Sequence, residues 1–113
     1  SKLFLNCGIV TINCFISPTK KIRKIAKDII GANNFIEIYV KASVEECEKR
    51  DVKGLYKKAR NGEIKNFTGI SSLFEVPENP QLTINTTKLS VEDSIKQVLN
   101  YVLPKIKNNI KSI

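Results

Sequence analysis

The sequence predicts an α/β fold in which helices cover both faces of a parallel sheet, giving three layers. Short β-branched segments alternate along the chain with segments of helical periodicity, and this alternation is typical of parallel sheets. The 113 residues are enough for one small domain. An apolar fraction of 42% and a charged fraction of 27% are ordinary for a globular protein.

Three segments have the composition of strands. Residues 9–15, with the sequence I-V-T-I-N-C-F, are β-branched and mostly apolar, and they predict a buried strand. Residues 35–40 predict a second strand, and the alternating residues 82–86 predict a third. Because parallel sheets bind ligands outside the carboxyl ends of their strands, the segments that follow these strands should converge on one ligand-binding edge.

A first helix is predicted after the first strand. Ser17 fits an N-cap with Pro18 at the first helical position, and Gly31 should end the helix. Between them, apolar residues recur at the spacing of one helical face.

Two further helices follow the second and third strands. Ser43 and Glu46 have the spacing of a capping box, which predicts a short helix to about Arg50. Ser90 should cap a last helix that stops near Pro104, because proline disrupts a helix interior.

The composition also limits the classes of function. A net charge of +8 implies an acidic partner, which can be nucleic acid, an anionic membrane or nucleotide phosphates. No apolar run approaches the roughly 18 residues that span a membrane, and the N-terminal run is too short for a signal peptide. Three cysteines without a C-x-x-C pair argue against a disulfide framework or a zinc site, so we expect a cytoplasmic protein.

Residues 53–70 form a segment that we call the basic lid, and it is the most informative part of the sequence. It contains five cations, three glycines and two aromatic residues between two apparent βα units. This composition suits a mobile loop that closes over a phosphorylated ligand, because glycine permits movement and cations bind phosphate oxygens. A solvated surface loop would also account for the cations.

Four motifs, in this order, resemble those of the adenylylsulfate (APS) kinases, which use ATP to phosphorylate the 3′-hydroxyl of APS. They are F-I-S-P at 15–18, C-E-K-R-D at 47–51, K-G-L-Y-K-K-A-R with G-E-I-K-N-F-T-G-I across the basic lid, and P-E-N-P at 77–80. The resemblance runs from about residue 3 to 103. It implies the P-loop kinase fold and the formation of 3′-phosphoadenylylsulfate in sulfate assimilation.

The resemblance also implies roles for single residues. Contacts with APS are implied for Ile16, Ser17, Lys53, Asn66 and Phe67. Contacts with ATP, or a role in the lid over it, are implied for Lys57, Arg60 and Leu89. Ser17 is the one catalytic candidate, because it matches a serine described as a phosphoserine position in bacterial members. Direct in-line transfer to a sugar hydroxyl needs no covalent step, however.

Several of these residues have a structural interpretation as well. Ser17 alone would be a helix cap, and Lys53 alone a solvated lysine. Phe67 would either anchor the loop to the core or stack on adenine. Leu89 would be an ordinary core residue. Asn66 stands where many family members have glycine.

Two positions on the first predicted helix also relate to the family. Arg23 either matches a recurring arginine or lies on the helix surface. Lys20 stands where many members have arginine, which preserves the charge without the planar fork of a guanidinium.

The chain, residues 1–113, is interpreted as the C-terminal part of one larger APS-kinase-like domain. Lys2–Leu5 resembles the last turn of a helix, and no G-x-x-x-x-G-K-[S/T] motif occurs. The resemblance implies ATP and Mg²⁺, and it places the phosphate-binding loop and the metal ligands in the N-terminal half of the family. We therefore assign no metal ligand in this chain and expect it to be inactive alone.

Two alternatives of other classes remain. One is a noncatalytic nucleotide-binding remnant or regulatory module. The other, a nucleic-acid-binding domain, is disfavoured because the cations lie in a loop and on separate helices without an aromatic stacking platform. The expected partners are therefore APS and ATP, with no nucleic acid and no membrane, and the resemblance leaves a homodimer open.

Overall fold

A computed structural model describes the backbone of residues 1–110 and the side chains of residues 1–107. The elements follow in the order α1 (Lys2–Asn6), α2 (Lys20–Ile30), a 3₁₀ turn (Ala32–Asn34), β1 (Ile38–Lys41), α3 (Val44–Arg50), α4 (Leu55–Arg60), β2 (Leu82–Asn85) and α5 (Val91–Ile110). The α/β class predicted from the sequence is confirmed.

The sheet of the described residues is a parallel pair. Strand β1 lies beside β2 with Ile38 opposite Leu82 and Lys41 opposite Asn85. Both strands therefore end at the same edge. The connection between them contains α3, α4 and the rest of the basic lid, so the lid is part of a crossover that starts at the carboxyl end of β1.

The strand predicted at residues 9–15 is wrong for this structure, which assigns no strand there. A strand is defined by hydrogen bonds to a neighbouring strand, and β1 and β2 pair only with each other among the described residues. The segment instead leaves apolar side chains exposed, with Ile12 88% and Phe15 79% accessible. A β-branched composition favours a strand, but it does not supply the pairing partner.

Helix α2 begins two residues later than the Ser17 cap predicted. Thr19 is the N-cap, and its hydroxyl accepts a hydrogen bond from the Ile22 amide at 3.3 Å. Ser17 therefore lies in the turn before the helix and is not its cap. Gly31 ends the helix as predicted, with a φ of 96° that only glycine adopts easily.

Helix α3 follows its sequence signal closely. The Ser43 hydroxyl accepts a hydrogen bond from the Glu46 amide at 3.2 Å, and the helix ends at Arg50. Acidic residues occupy its first turn and basic residues its last turn, which complements the helix dipole.

Helix α5 is longer than predicted. The Ser90 hydroxyl accepts a hydrogen bond from the Asp93 amide at 3.0 Å, so the predicted cap is confirmed. The helix does not stop at Pro104, which lies inside it. Proline lacks the amide that would bond to the Asn100 carbonyl, but Asn100 is exposed and water can satisfy that oxygen.

The core is small and centres on β2. Ile84 is only 2% accessible, and the other buried apolar residue of the described side chains is Ala59 of α4, at 7%. Helix α5 packs against β2. Complete burial of one isoleucine contributes about 1.5–3 kcal/mol, so this pairing of helix and strand is a main source of stability.

Candidate active site

Arg50 is hydrogen-bonded to the chain at the carboxyl end of the sheet. The Thr86 amide, just after β2, donates a hydrogen bond to the Lys41 carbonyl at 3.0 Å. The guanidinium of Arg50 donates to the Thr86 carbonyl at 2.7 Å and to the Thr86 hydroxyl at 3.2 Å. A cation is thereby fixed at the edge where parallel sheets bind ligands.

Ser17 lies in a turn with an unusual backbone. Its φ is 42°, in the left-handed region that residues other than glycine rarely adopt. The Ser17 carbonyl accepts a hydrogen bond from Arg23 at 2.7 Å, and the Pro18 carbonyl accepts one from the Glu75 amide at 2.8 Å. Ile16 is 69% accessible beside this turn. Ile16 and Ser17, both predicted to contact substrate, therefore lie on a turn whose carbonyl groups are hydrogen-bonded to the rest of the fold. The side chain of Ile16 is exposed to solvent.

The residues 74–78 hold the start of α2. The Lys20 amide donates a hydrogen bond to the Glu75 carboxylate at 2.7 Å, and the Lys20 ammonium forms an ion pair with Glu78. Hydrogen bonding to Lys20, and then its charge, lower the pKa of Glu78 below its usual range. Arg23 donates to the Glu75 carbonyl at 2.6 Å. Lys20 and Arg23 therefore both link the start of α2 to residues 75–78. Arg23 is not the solvated surface residue that was one of its two interpretations, since its side chain is 10% accessible.

Asp51 fixes the beginning of the basic lid. Its carboxylate accepts hydrogen bonds from the amides of Tyr56 at 3.0 Å and Lys57 at 3.1 Å, which are free donors at the N-terminus of α4. Gly54 starts that helix with a φ of 66°. Lys53 lies in the turn between α3 and α4 with its side chain exposed. The predicted substrate lysine is therefore on a short turn between two packed helices.

Arg60, predicted to contact ATP, pairs with a carboxylate of α3. Its guanidinium donates to Glu48 at 2.6 Å and, through Nε, at 3.4 Å. The hydrogen bond to Glu48, and then the charge of that carboxylate, raise the pKa of Arg60, although the pair remains open to solvent at 58% and 30% accessibility. Lys57, on the same helix, is exposed.

Phe67 and Asn66 shape the second half of the basic lid. The rings of Phe67 and Tyr56 meet edge to face, with centroids 4.9 Å apart. Asn66 adopts a φ of 55°, the left-handed conformation that asparagine tolerates better than most residues. The Phe67 carbonyl accepts hydrogen bonds from the amides of residues 70–72, which form a tight turn. Asparagine therefore preserves here a backbone shape that favours glycine.

An open pocket of about 570 Å³ lies beside this turn. Its lining consists of Val44 of α3 and residues 69–74. A Cβ added to Gly69, whose φ is 89°, would lie 3.4 Å from the Val44 side chain, so the turn approaches α3 closely. This volume is within the range of small-molecule sites.

Leu89 follows the carboxyl end of β2. Its amide donates a hydrogen bond to the Asn85 carbonyl at 3.1 Å, and its side chain is half-buried before α5. A separate apolar groove of about 230 Å³ lies between the sheet and α5. It is lined by Val40, Ile84, Thr86, Ser94, Ile95, Val98 and Leu99.

The basic lid and the turn formed by residues 15–19, which we call the Ser17 turn, are joined through residues 73–78. Phe74 stacks on Tyr39 of β1 with ring centroids 6.1 Å apart, and the next residue, Glu75, bonds to the Ser17 turn. The chain therefore runs from the end of the lid to Glu75, whose amide is hydrogen-bonded to the Pro18 carbonyl of the turn. The structure brings Lys53, by contrast, into no hydrogen bond or ion pair with that turn among the described residues.

Three residues at this site, Glu48, Arg50 and Asp51, have roles that sequence reasoning missed. All three belong to the C-E-K-R-D motif, which indicates the family but no mechanism. Asp51 had a usable signal, since an acidic residue just ahead of a helix commonly caps it. Arg50 and Glu48 had none, because their partners Thr86 and Arg60 are distant in sequence.

The described part of the chain offers neither a metal site nor a membrane span. There, no three side chains of the His, Cys, Asp and Glu types come together in a way that could hold a metal ion. None of the helices in that part is long and apolar enough to cross a membrane.

Two parallel strands that end at one edge, with helices in the crossover between them, define an α/β domain of the class that binds ligands at that edge. Residues 1–85 match the family described as adenylylsulphate kinase. The chain belongs to this family.

Similarity to curated relatives and to a solved structure supports the same family assignment. The chain is 61% identical over 106 residues to the adenylyl-sulfate kinase of Bacteroides thetaiotaomicron, covering 94% of this chain and 53% of that protein. It is 51% identical over 102 residues to the adenylyl-sulfate kinase of Staphylococcus epidermidis, covering 90% and 51%. The chain therefore spans about half the length of the curated relatives it matches.

The solved structure is that of the Mycobacterium tuberculosis APS kinase CysC in complex with AMPPNP and APS. It superposes with a TM-score of 0.79 at 34% identity, covering 88% of this chain and 58% of that one. The predicted P-loop kinase fold is thereby confirmed.

Proposed function

We propose that this chain is the lid-bearing part of an adenylylsulfate kinase. The complete protein would transfer the γ-phosphoryl group of ATP to the 3′-hydroxyl of APS, giving ADP and 3′-phosphoadenylylsulfate in sulfate assimilation. The observation that carries the proposal is a relative of that name that is 61% identical over 94% of the chain, in agreement with the family match. Because the chain spans half of that relative, catalysis is assigned to the complete protein.

The Ser17 turn and the basic lid would contact APS from two directions. Ile16 and Ser17 would contact the substrate from the turn, and Lys53, Asn66 and Phe67 from the lid. Support comes from the exposure of Ile16 and Lys53, and from the left-handed Asn66 that shapes the loop before Phe67. An ammonium near a sulfate or phosphate oxygen forms a strong charge-assisted hydrogen bond.

Lys57, Arg60 and Leu89 would serve the ATP side. Cations there would stabilise the charge spread over the transferring phosphoryl group. Closure of the lid would also exclude water, which competes with APS as the acceptor. Ser17 would bind substrate and orient it, and the transfer would be direct from ATP to the sugar hydroxyl, with no phosphoserine formed.

Mg²⁺ and the phosphate-binding loop are assigned to the part of the family's length that this chain does not cover. A cytoplasmic location and a homodimer stay predictions.

The test is APS-dependent ATP consumption by the complete protein, in wild type and Lys53→Ala. Loss of a hydrogen bond to a charged group costs about 1.5–3 kcal/mol, so the KM for APS should rise at least about 10-fold. Lys49→Ala is the matched control, since Lys49 is an exposed lysine on α3, and its KM should stay unchanged.

Three outcomes decide between the candidate functions. Turnover with the expected rise in KM supports the kinase. Binding of APS and ATP without turnover by the complete protein would instead favour the noncatalytic module. Turnover with equal KM values for the Lys53→Ala and Lys49→Ala variants would remove Lys53 from the substrate site.

A further inference from the structure

Arg23 is the most enclosed cation of this site. Its side chain is only 10% accessible, although it lies on α2 in a helix with mostly exposed lysines. The guanidinium donates to the Ser17 carbonyl at 2.7 Å and to the Glu75 carbonyl at 2.6 Å. A charged side chain that is almost completely buried needs such partners, because its desolvation is costly.

The other neighbours of Arg23 complete its environment. Its Nε lies 3.8 Å from the Glu37 carboxylate, and its guanidinium lies over the Phe74 ring, 5.6 Å from the centroid. The carboxylate balances the charge, and the ring supplies a cation–π contact. Arg23 therefore contacts the Ser17 turn, the residues before β1 and the segment after the basic lid.

Only an arginine can make this set of contacts. The two carbonyls belong to residues 17 and 75, which are far apart in sequence, and the two terminal nitrogens of one planar fork reach one carbonyl each. A lysine has a single nitrogen, and its ammonium does not stack flat on a ring. The contacts therefore depend on the two terminal nitrogens of the guanidinium as well as on its charge.

We propose that Arg23 is a positioning residue for the substrate turn: it holds Ser17 in its left-handed conformation and thereby places Ile16 and Ser17 for APS. A serine at a φ of 42° is strained and persists only where its surroundings hold it. The bond from Arg23 to the Ser17 carbonyl is the contact that does so from inside the fold. The role of the turn rests on the proposed function, whereas its dependence on Arg23 does not.

The first experiment needs no activity. Backbone amide exchange is compared in wild type, Arg23→Lys and Arg23→Gln, all as the complete protein. The Glu75 amide, which donates to the Pro18 carbonyl, and the Lys20 amide, which donates to the Glu75 carboxylate, are the protected amides of this turn. Their exchange should become at least about 10-fold faster in both variants, while that of β2 stays unchanged. Lys24→Gln is the matched control, since Lys24 is the exposed neighbour that pairs with Asp28, and it should change neither.

The second experiment measures KM for APS and for ATP separately. Arg23→Lys keeps the charge and should raise the KM for APS about 10-fold or more, with less than a twofold change in the KM for ATP. Phe74→Leu keeps the arginine but removes the ring beneath it, and should give a smaller rise of the same kind. This second variant serves if Arg23→Lys does not fold.

The outcomes separate the two proposals. Unchanged exchange of the Lys20 and Glu75 amides in the Arg23 variants overturns the positioning role. Equal rises in both KM values overturn it as well, because they indicate a general loss of structure. If exchange becomes faster in the Arg23 variants but the complete protein does not use APS, the proposed function is contradicted. The role of Arg23 in holding the turn would still be supported in that case.

Discussion

The Ser17 turn and the base of the basic lid are held by different kinds of contact. The turn is held by the almost buried Arg23, which bonds to backbone carbonyls. The base of the lid is held by Asp51 and Glu48, two carboxylates of the α3 region, and the Glu48–Arg60 pair is open to water. The contacts that hold the Ser17 turn are therefore almost buried, whereas the Glu48–Arg60 contact at the base of the lid is exposed to solvent.

This difference predicts different behaviour on ligand binding. Buried contacts are little affected by salt, whereas exposed ion pairs are screened and contribute little to stability. The Ser17 turn should therefore keep one conformation, while the lid can exchange the Glu48–Arg60 contact for a contact with phosphate. A preformed turn beside an adjustable lid would suit the proposed kinase, which would have to admit two nucleotides and then exclude water.

The largest effect in the lid is expected for Asp51→Ala. The substitution leaves two amides at the start of α4 without their acceptor, and loss of such a cap costs about 1 kcal/mol. Amide exchange of Tyr56 and Lys57 should become about fivefold faster, with exchange of the Lys20 and Glu75 amides, which hold the Ser17 turn, unchanged. Asp28→Ala removes an exposed carboxylate of α2 and is the control.

Unchanged exchange of Tyr56 and Lys57 in Asp51→Ala would contradict the capping role. Faster exchange in both the lid and the Ser17 turn would contradict the comparison itself, because it would show that the two regions are held as one unit.

The fold and the helix caps were largely predictable, because their signals are local. The Ser43 and Ser90 caps, the Gly31 terminus and the parallel pair of strands all follow from short patterns of residue type. The family motifs also located the basic lid. Whether residues 9–15 pair was not predictable, since composition favours a strand but does not name a neighbouring one.

The contacts that hold the site were not predictable, because they join distant positions. Nothing near Arg23 in sequence indicates that its guanidinium bonds to residue 75, and nothing near Glu48 indicates Arg60. The cap of α2 shows a similar limit, since Ser17 and Thr19 both suit an N-cap and the left-handed Ser17 backbone decides between them.

An intermediate effect is expected for the charge swap Glu48→Arg with Arg60→Glu. Each single variant leaves like charges facing each other and should loosen α4, whereas the double variant restores an ion pair of opposite polarity. Amide exchange in α4 should therefore return towards wild type. The KM for ATP should stay raised in the double variant, because the cation proposed to contact ATP is now on α3.

Two results would contradict this account. If the KM for ATP recovers together with the exchange rates, Arg60 serves only to hold the lid. If the exchange rates of α4 do not recover in the double variant, the Glu48–Arg60 contact is not what holds the two helices together.

A smaller effect is expected from salt. Raising the ionic strength from about 0.05 to 0.5 M shortens the screening length several-fold and should speed amide exchange in α4. Exchange of the Glu75 amide, which donates to the Pro18 carbonyl beside the Arg23 contacts, should change less, because those contacts are almost buried. An equal response of the two regions would show that burial does not distinguish them.

The smallest effect is expected from acid at the exposed Lys20–Glu78 pair. Lys20 lowers the pKa of Glu78 from its ordinary value of 4.5, so the ionised carboxylate is favoured in the folded state. The stabilisation is therefore present above that value and is lost as the pH falls below 4.5 through the folded-state pKa. Glu78→Gln should remove this part of the decline below pH 4.5 in thermal unfolding, and should lower stability slightly at neutral pH. Glu63→Gln, at an exposed carboxylate of the basic lid, is the control, and an identical pH profile for Glu78→Gln and wild type would show that the pair does not stabilise the junction.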